Sequence, residues 1–257
     1  MKSPPTAKTV GGIPRPFEAM IAFVGLVASA PLIAISAVAI KLTSRGPVLF
    51  RQMRTGRNGE SFVLIKLRTM TTCAQGPQVT STVDPRVTLI GRFLRKTKLD
   101  ELPELWNVLR GDMSLVGPRP EVPRYVDLKD PKWQAVLQAR PGLTDPVTLR
   151  LRNEDKLLAE AEEDIEGFYL GTLQPVKLGG YLDYFNSRSW KEDVKVILKT
   201  AVGVIRPGSI PAPTMAEIER EASALATEFS TAESNVPVKA HSLGHERQAQ
   251  QLNLKSG

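Results

Sequence analysis

Residues 19–40 carry no charged side chain, an uninterrupted run of 22 positions. As a helix rising about 1.5 Å per residue, such a run reaches about 33 Å, enough for a hydrocarbon core of roughly 30 Å. Pro31 stands near its middle, directly after Ala28-Ser29-Ala30. Those small residues mimic a processing site, but the uncharged run continues through residues 31–40, which argues against removal of a leader. A continuous helix would span a bilayer. A helix broken at Pro31 would instead enter one leaflet and return, because proline removes a backbone hydrogen bond and crowds the preceding turn. Each half would measure about 16 Å, the depth of one leaflet. Lys2, Lys8 and Arg15 precede the run, and Lys41, Arg45, Arg51 and Arg54 follow it. A spanning helix concentrates basic residues on one side, whereas a re-entrant one keeps both ends together. The flanks leave both geometries open, with Pro31 as the candidate membrane bend.

Beyond this segment the pattern changes to short elements. Residues 48–53 and 61–68 flank Thr55-Gly56-Arg57-Asn58-Gly59, the composition of a β-hairpin turn. Period-two alternation puts Lys66 and Arg68 on one face and Val63, Ile65 and Leu67 on the other. Residues 70–84 read as a polar loop. Residues 87–96 read as an amphipathic helix, with Leu89, Ile90, Phe93 and Leu94 opposite Arg92 and Arg95, a pattern suited to a lipid headgroup layer. Helical patterns recur at 129–138, 153–163 and 193–205. The fold class expected is α+β and mainly helical: a re-entrant membrane helix, interfacial amphipathic helices and a small β-hairpin. The domains expected are a mobile basic arm (1–16), the membrane helix (17–41), a catalytic domain at the membrane surface (42–205) and a largely disordered tail (206–257). Within that tail Thr214 caps a solvated helix over 215–228.

Inventory narrows the chemistry. Cys73 is the only cysteine, so no intrachain disulfide or cysteine-based zinc cluster can form. The two histidines, His241 and His245, lie in the polar tail, so a Ser-His triad or a histidine metal site in the folded part is excluded. The net charge of +7 favours an anionic partner, but the basic residues are dispersed rather than clustered, and nucleic acid is not expected. Catalysis is left to carboxylates, Lys, Arg, hydroxyls and a hard cation.

Asp100 and Glu101 are adjacent carboxylates just before a helical stretch. They suit a helix start for structural reasons alone, and Pro103 fits the same position. A helix start is also where phosphate oxygens bind. There, one carboxylate can attack phosphorus or hold Mg²⁺ while its neighbour completes the site. Gly117-Pro118-Arg119-Pro120 holds Arg119 in stiff, extended backbone. A guanidinium fixed in this way loses less entropy on gripping a phosphate and offers a bidentate fork. Lys66, Arg68 and Arg95 are further basic candidates, each equally readable as a solvated face or a lipid anchor.

Five motifs in order carry a resemblance. These are Gly-Pro-Val-Leu-Phe-Arg-Gln (46–52), Lys66-Leu67-Arg68-Thr69-Met70, Leu99-Asp100-Glu101-Leu102-Pro103, the stretch 107–114, and Val116-Gly117-Pro118-Arg119-Pro120-Glu121. Over residues 17–204 the chain resembles the bacterial sugar transferases, in particular the small monotopic phosphoglycosyl transferases. That resemblance implies transfer of a sugar-1-phosphate from a UDP-sugar to polyprenyl (undecaprenyl) phosphate with release of UMP, the first membrane step of exopolysaccharide, O-antigen or glycoconjugate assembly. It implies Asp100 as nucleophile with Glu101 as its partner, and Mg²⁺ held by a carboxylate of that pair. Lys66, Arg95 and Arg119 match basic positions of the family site, and Asp193 matches a family carboxylate. It also implies a bent membrane helix at the cytoplasmic face of the bacterial inner membrane, with a homo-oligomer and downstream glycosyltransferases as further partners. The rivals are direct single-step transfer with Asp100 as a metal ligand, and a non-catalytic membrane scaffold. Two departures stand out. The family's Ser-Pro bend is here Ser29-Ala30-Pro31, and the stretch 141–154 follows a sub-branch pattern that leaves the sugar open.

Overall fold

A computed structural model of the chain describes residues 11–71, 84–161, 164–206 and 208–234. Residues 1–10 of the expected arm, 72–83 of the expected loop (with Cys73) and 235–257 of the expected tail (with both histidines) lie outside the described residues. The described chain is mainly helical with little strand, as expected.

Helix α1 spans Arg15–Thr43, with proline at its first turn where a missing N–H costs nothing. Helical structure runs through Pro31 as one element of 29 residues, so the chain does not part into two separate helices there. Pro31 cannot donate to the Val27 carbonyl four residues back, and the Ser29 hydroxyl donates to the neighbouring Leu26 carbonyl (3.2 Å). Glu18, Ala22, Ser29, Ser36 and Ile40 form a buried stripe along the helix. Gly25 lies on the same stripe, where a β-carbon would sit 3.3 Å from Leu105. The remaining faces expose Phe23, Val27, Ile35, Val38 and Leu42.

Strands β1 (Leu49–Thr55) and β2 (Ser61–Leu67) form the expected antiparallel hairpin, in register from Leu49↔Leu67 to Thr55↔Ser61. Helix α2 (Leu89–Thr97) starts at Thr88, whose hydroxyl accepts from the Gly91 N–H (3.0 Å). Gly91 is required there, since a β-carbon would lie 2.0 Å from the Thr69 carbonyl oxygen. Ile40, Leu67 and Leu94 meet in a buried knot that joins α1, β2 and α2. Lys98, in the left-handed region (φ 57°), turns the chain out of α2 into the 3-10 turn Leu99–Glu101. Helix α3 (Glu104–Arg110) follows and ends at Gly111, whose φ of 97° suits glycine.

The parallel pair β3 (Ser114–Val116) and β4 (Gly142–Thr144) was not foreseen. The Arg119 loop leaves β3 through Gly117. A β-carbon on Gly142 would fall 2.1 Å from the Gly117 nitrogen, so glycine is needed where these backbones touch. Helices α4 (Pro131–Val136), α5 (Pro146–Arg150), α6 (Glu154–Glu160) and α7 (Ile165–Phe168) follow. A π-helical stretch, Tyr169–Leu173, leads into α8 (Gln174–Ser187), which packs on α4 and α5; neither was foreseen. Helix α9 (Trp190–Ile205) confirms the apolar helical pattern there.

The C-terminal helix α10 (Met215–Ser234) bears out the helix expected after Thr214. Thr214 and Glu217 make a capping box, with the Thr214 N–H donating to Glu217 (2.7 Å) and the Glu217 N–H donating back to the hydroxyl (3.4 Å). Asn153 donates to the Pro213 carbonyl (2.9 Å), Arg150 pairs with Glu221, and Ile218 is fully buried. The chain divides into one unit ending at Ala222 and a second beginning at Ser223.

Candidate active site

The turn between α2 and α3 sets Asp100 and Glu101 beside β2 and the Arg119 loop. Glu101 Oε1 accepts from Arg119 Nη2 at 2.7 Å and from Lys66 Nζ at 3.3 Å. Lys66 Nζ also lies 3.0 Å from Glu104 Oε1, so one ammonium bridges two carboxylates. Burial pushes the Glu101 carboxyl up, but Arg119, Lys66 and Lys98 overcome it and hold the group well below the usual carboxylate range. Glu101 in turn raises the Arg119 guanidinium further above its ordinary value. Burial, with Glu101 adding to it, pushes the Asp100 carboxyl up against the opposing pull of Lys66, Lys98 and Arg95. Among the described residues, Asp100 Oδ1 is buried without a hydrogen-bond partner. A buried carboxylate oxygen left unpaired is costly, and its natural complement is an electrophile or a cation.

Arg119 is braced on the other side. Its N–H donates to the Tyr181 hydroxyl (3.3 Å). Two residues on, Glu121 accepts from the Tyr169 hydroxyl and pairs with Arg54 (3.6 Å). Arg54 also donates to the Pro120 carbonyl (3.1 Å), and the Thr55 N–H to the Glu121 carbonyl (2.8 Å). The buried Lys177 ammonium joins Tyr169 (3.2 Å) to Glu154 (3.1 Å). Only a small gap adjoins Arg119 here, lined in part by Tyr169, Lys177 and Tyr181.

Of the residues expected from sequence, Asp100, Glu101, Lys66 and Arg119 come together. Arg95 lies at their edge, its Nε donating to Thr69 Oγ1 (3.0 Å) while its charge acts on Asp100. Arg68 does not join them. The strand ends at Leu67, and the Arg68 guanidinium turns to the carbonyls of Ser44 (2.9 Å) and Arg45 (2.7 Å) at the C-terminal end of α1. The Ser44 carbonyl is at the C-cap, where helix carbonyls lack partners within the helix and the negative end of the dipole favours a cation, which explains the choice. Asp193 is fully buried on Arg188 (3.1 Å), the Tyr184 hydroxyl and the Ile13 N–H (3.3 Å), and ties the entry of α1 to α9 instead.

Sequence reasoning passed over Glu104, Lys98 and the Glu121–Tyr169–Lys177–Glu154 chain. Glu104 carried a usable signal: three residues after Glu101 it falls on the same face of a helical turn. The others depend on α8 and the π-helical stretch, and no local pattern announces their meeting. Among the described residues, no three His, Cys, Asp or Glu side chains converge as a ready-made metal cage.

The site thus sets a carboxylate pair among cations, next to a long apolar helix. Residues 11–207 match the sequence pattern of the bacterial sugar transferases, and the chain belongs to that family. It is 42% identical over 181 residues to a UDP-glucose:undecaprenyl-phosphate glucose-1-phosphate transferase of Caulobacter vibrioides, covering 68% of this chain and 63% of that protein. It is 36% identical over 167 residues to the exopolysaccharide production protein ExoY of Sinorhizobium fredii (57% and 73%). It is 40% identical over 137 residues to a UDP-N-acetylgalactosamine-undecaprenyl-phosphate N-acetylgalactosaminephosphotransferase of Aeromonas hydrophila (51% and 32%). The chain thus spans less than two thirds of the Caulobacter protein's length.

Proposed function

We propose that this protein transfers a sugar-1-phosphate from a UDP-sugar to polyprenyl phosphate, releasing UMP and starting a surface glycan. The observation that carries this reading is the buried, unpartnered Asp100 Oδ1 beside a Glu101 clamped by Lys66 and Arg119, in a chain of this family. The Asp100 carboxylate attacks the β-phosphorus. The bond from that phosphorus to the oxygen bridging the α-phosphorus breaks, and UMP departs with the bridging oxygen. An oxygen of the polyprenyl phosphate then attacks the same phosphorus, and the Asp100 carboxylate is regenerated. Arg119 and Lys66 offset charge between anions that otherwise repel each other. Mg²⁺ fits the donor set as an ion held by Asp100 with water and substrate phosphates, since Mg²⁺ commonly takes only one or two carboxylates. When bound it would lower the charge on the diphosphate. Glu101, engaged by two cations, is the weaker candidate ligand.

The reading puts the site at the cytoplasmic face of the inner membrane. Support comes from α1, which exposes apolar side chains along its length, and from α2 and α9, which expose Leu89 and Phe93, and Trp190 and Leu198. A re-entrant course is supported by the docking of both ends of α1 on one unit. Arg15 donates to the Leu109 carbonyl (3.0 Å), and the Leu115 N–H donates to Glu18 (3.2 Å). At the far end Ile40 is buried on Leu67 and Leu94 while Arg68 holds Ser44. A helix that crossed a bilayer would carry one end some 30 Å away from the other's surroundings. The test is to incubate the full chain in lipid nanodiscs with Mg²⁺, undecaprenyl phosphate and a panel of UDP-sugars, and to measure UMP. UMP release that needs both the lipid phosphate and one UDP-sugar supports the reading; none with any sugar refutes it.

A further inference from the structure

The candidate site holds its cations in an alternating chain. Glu104, Lys66, Glu101 and Arg119 follow one another at 3.0, 3.3 and 2.7 Å. Ionised, the four sum to zero charge. Both cations that would meet a diphosphate are therefore already matched, Arg119 by Glu101 and Lys66 by Glu101 and Glu104 together. Glu104 is 1% exposed and sits in the first turn of α3, and the side chain of the site that it pairs with is Lys66. Lys66 is on β2, opposite Phe50 in the hairpin, and β2 packs on α3. The contact between Lys66 and Glu104 thus fixes the ammonium from behind.

We propose that Glu104 is a positioning residue that anchors Lys66 against Glu101 and restrains its charge, so that anion affinity at this site is set from behind the reacting groups. The proposal rests on the reading of the site as one for a nucleotide diphosphate. Burial, opposed by Lys66, pushes the Glu104 carboxyl up, in keeping with a group whose charge is held at a cost. Replacing that carboxylate by an amide of the same shape keeps an acceptor for Lys66 and removes one negative charge from the chain. Lys66 then faces one carboxylate instead of two. An ammonium matched by one carboxylate instead of two attracts a phosphate more strongly, a gain on the order of fivefold to thirtyfold in affinity at intermediate effective dielectric.

The experiment measures UDP affinity by calorimetry on the full chain in nanodiscs, alongside the KM for UDP-sugar, for wild type, Glu104→Gln and Glu104→Met. Both variants should bind UDP more tightly by that factor, with KM lowered in parallel and kcat unchanged or reduced through slower release of UMP. In a Lys66→Met background the gain should vanish, because the effect acts through that ammonium. Folded Glu104 variants that bind UDP no more tightly overturn the proposal. So does a gain that survives Lys66→Met, or a failure of both Glu104 variants to fold, which would make the residue a requirement of the structure. If wild type binds UDP but turns over no UDP-sugar, the transferase reading fails while the affinity comparison still decides the role of Glu104.

Discussion

Asn107 is the fully buried residue on which the alignment of β2 with α3 turns. Its Oδ1 accepts from the Ile65 N–H (3.1 Å), and its Nδ2 donates to the Val63 carbonyl (2.8 Å) and to Asp112 Oδ2 (3.2 Å). Two of these bonds grip β2 on the residues just before Lys66. Asn107→Ala leaves the Ile65 N–H and the Val63 carbonyl without side-chain partners. An unmet buried group costs about 1–3 kcal/mol. Val63 and Ile65 are both partly exposed, so water can recover some of the loss, and the low end applies to each. The sum is about 2–3 kcal/mol. Asn107→Asp keeps the acceptor for Ile65 but sets a carboxylate against the Val63 carbonyl and Asp112, and should cost at least as much. Guanidinium unfolding of the solubilised protein reads this as a lowered midpoint at constant m-value. The same variants should lose UMP release, since Lys66 loses its register with Glu101. An unfolding free energy within 0.5 kcal/mol of wild type, on the order of ordinary surface substitutions, would show that Asn107 does not hold the strand.

Two further outcomes follow from burial and charge. Ile218→Ala should destabilise the protein by about 2–4 kcal/mol by opening a cavity, although the residue lies beyond the matched stretch 11–207; a cost under about 1 kcal/mol would mean that the segment before Ala222 is not packed. The pH profile of kcat/KM should show an acidic limb above the ordinary aspartate value of about 3.9, because burial and Glu101 raise Asp100 and only its ionised form attacks. Activity is then present above that raised pKa and lost as pH falls through it. A profile flat down to pH 4 would mean that Asp100 need not ionise.

The parts of the fold visible in the sequence were those with local causes. The hairpin showed through its Asn58-Gly59 turn, and the C-terminal helix through the cap at Thr214. The β3–β4 pair was hidden because each strand has three residues and its partner lies 28 positions away, from Ser114 to Gly142, a separation no short-range pattern reports. Helix α8 was missed because its apolar residues are interrupted by Lys177, Gly179 and Gly180. At the candidate site, the motifs and the stiff backbone singled out Asp100, Glu101 and Arg119, and the structure brings the three into one neighbourhood. Arg68 misled because alternation was extended one residue past the strand, where the end of α1 offered stronger acceptors. Glu104 looked like an ordinary first-turn glutamate; only the position of Lys66 across from it gives it a role.

Mass spectrometry of the quenched protein after exposure to Mg²⁺ and its UDP-sugar, with polyprenyl phosphate withheld, reaches the central claim most directly. The account predicts a mass gain of one sugar phosphate localised to Asp100, with one UMP released per chain, and neither in Asp100→Asn. An unmodified chain that turns over at the normal rate once lipid phosphate is supplied, or full UMP release by Asp100→Asn, would contradict it.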